Sequence, residues 1–391
     1  MLTLDQSLEK FINKATSLGT EKVKITRSLN RILCEDIFSD VDMPPFNKSA
    51  MDGYACRMED RMNELSVVEI IPAGSFPTSR IEKDQCAKIM TGAPVPEGAD
   101  CVIMIEYTEN LQNNKIRFLK EKTKSNICYL GEDVSKGQKV LQKGIQIKPR
   151  HIPMLASVGY LEVPVYKLPR VGILTTGSEL VEPDKKPGKA KIRNSNAYQL
   201  IALLDDMGVD PVYYGIVKDN EESIELAIKR AFDENDTVLL TGGVSVGDFD
   251  LVPHTIKKLG MEIHFNELAI KPGKPVLFAS LDNKLCFGLS GNPVSSFFQF
   301  EVLCRPVIFR QMGFDFNPVL IEFELAGNIK RKMADRLGLY PVEYVNSKMV
   351  VPVEFHGSAH IHSLSNAFGI VALPPGEFEI KKGERVNVRP I

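Results

Sequence analysis

The sequence predicts a multidomain α/β protein. It has a central α/β domain on a parallel sheet, an all-β inserted domain ahead of it, an N-terminal helical linker domain and a C-terminal small β-barrel domain. Three observations carry that expectation. Between residues 170 and 310, strand-like and helix-like segments alternate steadily, a pattern of β-α units that requires a parallel sheet covered on both faces. From Asp42 to about Gly144, and again after Phe316, short β-branched runs alternate with Gly, Pro, Asn and Asp clusters, as in small all-β domains. At 391 residues, the chain also exceeds what one hydrophobic core usually organises.

Each element has a local reason. Thr3-Leu-Asp-Gln6 has the form of a capping box, and Leu8, Phe11, Ile12 and Ala15 follow at helical spacing, so a helix opens the chain. Ser66–Ile71, Asp100–Tyr107 and Lys115–Leu119 read as strands of the inserted region, and residues 149–159 as a short helix. In the central domain Val171–Leu174, Val212–Val217, Thr237–Leu240, Met261–Phe265 and Leu285–Leu289 read as strands. Asn196–Met207, Glu221–Phe232 and Asp250–Leu259 read as helices, the first and third stopped by Gly208 and Gly260, and Asn292-Pro293 opens another. Val319–Leu325, Tyr340–Val345, Met349–Val353, Gly369–Leu373 and Arg385–Val388 read as the closing strands. The expected boundaries are 1–41 with 145–169 for the helical linker, 42–144 for the inserted β-domain, 170–313 for the α/β domain and 314–391 for the C-terminal domain.

Composition narrows the function. A formal net charge of −2 supplies no broad basic field for a nucleic-acid backbone, so a small-molecule partner is expected and nucleic acid is not. The seven cysteines are scattered without a C-x-x-C pair, which fits a reducing compartment and disfavours a zinc knuckle or disulfide framework. The first residues lack a basic segment followed by an apolar one, and no apolar run reaches the roughly 18 residues of a membrane span. A soluble, cytoplasmic protein without a membrane partner is the expectation.

Ligands of open α/β sheets bind beyond the carboxyl ends of the strands, because loops and helix starts converge there. The segments expected at that edge are Thr175–Glu179, Lys218-Asp219, Thr241–Asp250, Lys271–Lys274 and Ser290–Ser295, all glycine, hydroxyl or charged. Gly242, Gly243 and Gly247 let backbone amides approach an anion, with Ser245 among them. Glu179, Asp219 and Asp250 beside Lys271 and Lys274 suit a phosphate bridged to Mg²⁺, which takes one or two carboxylates plus phosphate oxygens. Taken singly, each admits a plainer reading: Asp250 as a helix N-cap, Glu179 and Asp219 as solvated loop charges. The spacing matches neither a dinucleotide fingerprint nor a P-loop.

"TGGVSVGDFD", "AIKPGKP" and "GLSGNPVSS", in that order and preceded by "PRVGILTTGSEL", resemble the molybdopterin molybdotransferases, the MoeA proteins and the gephyrin E-domain. "LNRILCEDI", "PPFNKSAMDGYA", "KIMTGAPVPEGAD", "GEDVSKGQKVLQKG" and "IPMLASVG" extend the resemblance up to about residue 310. It implies a central domain of molybdopterin-binding type and transfer of molybdenum from molybdate to adenylylated molybdopterin, with Mg²⁺ and release of AMP. By position it implies a site made of Asp52, Thr91, Asp133, Glu179, Asp219 and Asp250, with Lys271, Lys274, Asn292, Pro293 and Ser295 around the bound anions. It further implies a homodimer whose inserted β-domain completes the partner's site, and contact with a molybdopterin adenylyltransferase. Two other readings stay open on sequence alone: an adenylyltransferase, and a non-catalytic scaffold of the same fold. Three positions depart from the pattern: Ser290 where the family usually has proline, Glu267 where a basic residue is common, and Pro341 about where an arginine tends to stand.

His356, His360 and His362 form an H-x3-H-x-H group without further ligands at metal spacing, and read as solvated turn and strand residues. Phe297, Phe298 and Phe300 read as the core face of a helix.

Overall fold

The computed structural model describes residues 1–244 and 251–391. The chain divides into two compact units, one made of Met1–Cys34, Gly144–Lys148 and Glu162–Ile391, the other of Glu35–Lys143 and Pro149–Leu161.

The first unit begins with α1 (Leu4–Lys14), whose capping box is formed: Gln6 N–H donates to Thr3 Oγ1 at 3.3 Å and Thr3 N–H to Gln6 Oε1 at 3.1 Å. The α/β region follows as β1 (Val171–Thr176), α2 (Asn196–Asp206), β2 (Val212–Val217), α3 (Glu221–Glu234), β3 (Thr237–Thr241), α4 (Val252–Lys258), β4 (Glu262–Glu267), β5 (Pro275–Leu281), β6 (Lys284–Leu289), α5 (Pro293–Gln299) and α6 (Arg305–Gln311). A π-helical turn, Phe300–Cys304, joins the last two helices.

The six strands lie in the order β2-β1-β3-β6-β5-β4. The parallel pairs β1–β2, β1–β3 and β3–β6 give the expected doubly covered sheet. The strand that periodicity did not single out, β5, is antiparallel to both β6 and β4. It is a buried apolar run directly after a Pro-Gly turn, so its sequence reads as the tail of a loop. Because β5 reverses, β4 again points the same way as β6, and the carboxyl ends of all five co-directional strands share one edge.

Alternation along the strands sorts side chains into two cores. Val171, Ile173, Leu239, Phe287 and Leu289 face one side, where Phe11 of α1, Leu200 of α2 and Phe298 of α5 meet them. Leu174, Val238, Leu240 and Cys286 face the other, against Ile224 and Ile228 of α3 and Ile256 of α4. Phe298 and Phe300 are fully buried, which places this aromatic group in the core as expected.

The C-terminal part contains β7 (Ile321–Leu325), β8 (Leu337–Asn346), β9 (Met349–Pro352), β10 (Gly369–Leu373) and β11 (Arg385–Pro390). They close on themselves in the order β8-β9-β7-β11-β10, with β10 returning to β8, a five-stranded barrel. The histidine group lies outside these strands. Residues Ile361–Leu364 form a 3₁₀ turn, so these histidines are turn residues and none of them lies on a strand; His356 stacks on His360 at 4.9 Å and pairs with Glu354 at 2.9 Å.

The second unit centres on a six-stranded sheet ordered Cys101–Met104, Gly53–Cys56, Gln85–Ile89, Leu65–Ile71, Lys115–Phe118, Thr108–Leu111. Cys56 sits opposite both Cys86 and Cys101, all three fully buried, and burial pushes the Cys86 thiol up to about 12. Among the described residues no helix is long and apolar enough to cross a membrane.

Candidate active site

At the carboxyl edge of the sheet the first unit holds a cleft of about 490 Å³, lined by Thr176, Gly177, Glu179, Asp219, Gly242, Gly243, Ser290 and Asn292 among others. An inner lobe of about 300 Å³ shares several of these residues and adds Asn194, Asn196 and Pro293. The ends of β1, β2, β3 and β6 thus supply one concave surface, as open α/β sheets do.

Gly242 has φ +86° and lies so close to β1 that an added Cβ would sit 2.3 Å from the Thr176 carbonyl oxygen. The glycine is therefore required by the approach of two strand ends, before any ligand is considered. Thr176 is 4% exposed and its hydroxyl has no hydrogen-bond partner among the described residues. The Asn196 Oδ1 is likewise buried and unpartnered, while its Nδ2 donates to the Gly291 carbonyl at 2.9 Å. Buried polar atoms normally find partners, so two orphans lining one cleft are the mark of a site that a polar ligand completes.

Glu179 and Asp219 both line this cleft and are both exposed. Asp219 also holds the loop beneath it, its Oδ2 accepting from Ser178 N–H at 2.5 Å, while Lys191 Nζ donates to the Ser178 carbonyl. The segment carrying Glu179 is fixed further by Glu182, which accepts from Tyr213 Oη at 2.8 Å and Tyr198 Oη at 3.0 Å. Burial, and then the Glu182 carboxylate, push the Tyr213 phenol above its usual range, so it stays a donor. Among the described residues no cluster of three or more metal-ligating side chains is assembled.

Lys271 and Lys274 lie on the link between β4 and β5, at the same edge; Lys271 is exposed, and Lys274 pairs with Glu267 at 2.8 Å. Ser295 is 2% exposed and lines neither lobe. Ser245, Gly247 and Asp250 lie outside the described residues. The helix expected from Asp250 begins at Val252 among those described.

The second unit brings Asp52 and Thr91 together: Asp52 Oδ1 accepts from Thr91 N–H at 2.6 Å and from Thr91 Oγ1 at 2.7 Å. These two bonds, the backbone one foremost, hold the Asp52 carboxyl below its usual range. Asp133 belongs to the same unit, exposed, with its backbone N–H bonded to the Met43 carbonyl at 3.0 Å.

Family models match the chain in three stretches: the MoeA N-terminal region (domain I and II) over residues 2–159, a probable molybdopterin binding domain over 172–310, and the MoeA C-terminal region (domain IV) over 325–391. A molybdopterin molybdenumtransferase of Staphylococcus aureus is 34% identical over 404 residues, covering 99% of this chain and 95% of that one. The chain belongs to the MoeA family. A Staphylococcus epidermidis protein of the same name is 35% identical over 398 residues, with the same coverage. Among solved structures, the molybdopterin biosynthesis MoeA protein of Pyrococcus horikoshii OT3 superposes with a TM-score of 0.84 at 30% identity, covering all of both chains. The multidomain MoeA fold, with its central α/β domain and C-terminal barrel, accounts for the architecture above.

Sequence reasoning placed Thr176 at the edge only as part of the Thr175–Glu179 segment, and missed Asn196 and Glu182. The orphaned hydroxyl of Thr176 is invisible without coordinates. Asn194-Ser-Asn196, a run of capping residues at a helix start, was the one available signal, and its reading as a cap hides that Asn196 reaches across to Gly291.

Proposed function

We propose that this MoeA-family chain is a molybdopterin molybdenumtransferase of molybdenum cofactor biosynthesis, transferring molybdenum from molybdate to adenylylated molybdopterin with release of AMP. The observation that carries the reading is the cleft at the carboxyl edge of the sheet, with glycine turns, two exposed carboxylates and a neighbouring lysine loop.

The roles follow from charge. The turn at Gly242 and Gly243 brings the backbone close to the phosphates, with the Gly243 amide available to them because the Gly242 N–H already donates to the Leu289 carbonyl at 3.3 Å. Ser245 and Gly247, outside the described residues, are assigned to the same phosphates, and Asn292 and Pro293 shape the inner lobe. Lys271 and Lys274 attract the molybdate dianion. Glu179 and Asp219 offer carboxylate oxygens to one cleft, and Asp250, outside the described residues, is assigned to the same set; one or two carboxylates plus phosphate oxygens are what Mg²⁺ takes. Asp219 bonds Ser178 through one oxygen, leaving the other able to ligate. Bound there, Mg²⁺ supplies positive charge to the phosphate oxygens. Asp52, Thr91 and Asp133 act from the inserted β-domain of a partner subunit in a homodimer with composite sites.

Incubation of the purified chain with adenylylated molybdopterin, molybdate and Mg²⁺ tests the reading through AMP release and cofactor formation. No AMP under any metal condition overturns it.

A further inference from the structure

We propose that Gln299 is a positioning residue of this site, holding the Lys271–Lys274 loop and the Ser290–Asn292 turn at one fixed spacing. The proposal rests on the anion-transfer reading above. Gln299 ends α5, and its side chain is fully buried. Its Nε2 donates to the Gly273 carbonyl at 2.9 Å and the Pro275 carbonyl at 2.6 Å, and its Oε1 accepts from Ser290 N–H at 2.8 Å. The two carbonyls stand on either side of Lys274, so one amide grips the backbone flanking the lysine. The third bond reaches the turn at the end of β6, and Ser290 and Pro275 both line the cleft.

Only a primary amide of this length satisfies all three groups. A carboxylate has no hydrogens for the two carbonyls, and an apolar side chain would leave three buried polar groups unpaired. The partners are matched to it. Gly273 has φ +104°, and a Cβ there would sit 3.1 Å from Gln299 Cγ and Nε2, pushing the amide out of place. Ser290 supplies a backbone N–H that a proline at the position could not. The neighbours Phe298 and Phe300 are fully buried, so the core anchors the backbone that presents the amide.

A group that only stabilises the fold and one that positions the lysine loop separate in kinetics. Gln299→Leu is expected to raise KM for molybdate about tenfold, with a smaller fall in kcat at saturating molybdate, as for loss of several buried bonds. Ser290→Pro removes the bond to Gln299 Oε1 and, with the hydroxyl, the 3.2 Å bond that Ser290 Oγ accepts from Asn292 N–H. It should move KM the same way by less, and adding it to Gln299→Leu should cause less than the sum of the two. Amide exchange followed by mass spectrometry should speed up in both 271–275 and 290–292. Molybdate binding by calorimetry and the exchange readout need no turnover. A wild type that binds molybdate but releases no AMP therefore defeats the transfer reading alone. A lower Tm with wild-type molybdate affinity and wild-type exchange overturns the positioning role, as does a wild type that binds no molybdate. If Gln299→Leu does not fold, Ser290→Pro decides the matter by the same two readouts.

Discussion

The Glu267 carboxylate lies 2.8 Å from the Lys274 ammonium, and the pair is partly open to solvent. Lys274 holds the Glu267 carboxyl below its usual range, so the lysine assigned to an incoming oxyanion already carries a counter-charge. On the proposed function, molybdate has to compete with it. Glu267→Gln should therefore lower KM for molybdate, by up to about fivefold at low salt, because an exposed ion pair is only weakly held together. The gain should shrink as salt screens the site. Steady-state rates at varied molybdate check this, and an unchanged KM would mean that Lys274 does not meet the anion.

Lys274→Ala is the complementary change. It should mainly weaken molybdate use, and high molybdate should restore the rate. A variant that no molybdate concentration rescues would give the lysine a part in the chemical step as well.

The Asp52–Thr91 contact makes a pH prediction. Asp52 is depressed in the folded chain, so its contribution to stability is present above the unfolded value of about 3.9 and is lost as pH falls through the folded one. Thr91→Ala removes the hydroxyl donor but keeps the backbone N–H, which is the larger cause. The Asp52 carboxyl, followed by NMR titration, should move upward yet stay below the ordinary range. No movement would show that the hydroxyl bond of 2.7 Å contributes nothing in solution.

Composite sites in a homodimer would make two dead variants complement each other. Asp52→Ala and Asp250→Ala should each inactivate both sites, whereas a mixed dimer has both lesions in one site and none in the other. Equal mixing with random pairing gives about half mixed dimers, so roughly a quarter of sites should recover. Persistent inactivity after demonstrated subunit exchange would put Asp52 and Asp250 in the same subunit's site.

Phe11 tests whether α1 is part of the α/β core. It is fully buried, with ring centroids 5.0, 4.1 and 5.2 Å from Phe265, Phe278 and Phe287. Phe11→Ala should destabilise the unit by about 3–5 kcal/mol, read as an earlier denaturant transition. A loss under about 1 kcal/mol would mean that the helix is only an appendage.

Periodicity made much of the fold legible. The capping box at Thr3 and the apolar stripe of α3 are local signals, and the structure keeps them. β5 was not legible, since a strand buried on both faces has no alternation to read. For the site, strand ends could be found because position along the chain implies position at the sheet edge, which brings Glu179, Asp219 and Gly242 to one cleft. Gln299 escaped because its three partners come from two separate loops, 9, 24 and 26 residues back along the chain, and a lone glutamine among phenylalanines states no partner.

The single reversed strand has a consequence for how the chain acquires its structure. β4, β5 and β6 form an antiparallel meander over Glu262–Leu289, with only Asp282 and Asn283 between the last two strands. Such pairing closes short loops, whereas β1–β3 and β3–β6 must wait for helical crossovers, and local contacts form faster than distant ones. In refolding, the lysine loop should thus take shape inside an early local nucleus, before the parallel strands bring the Gly242 turn alongside it. Pulse-labelled amides of β5 and β6 gaining protection before those of β1 would record that order.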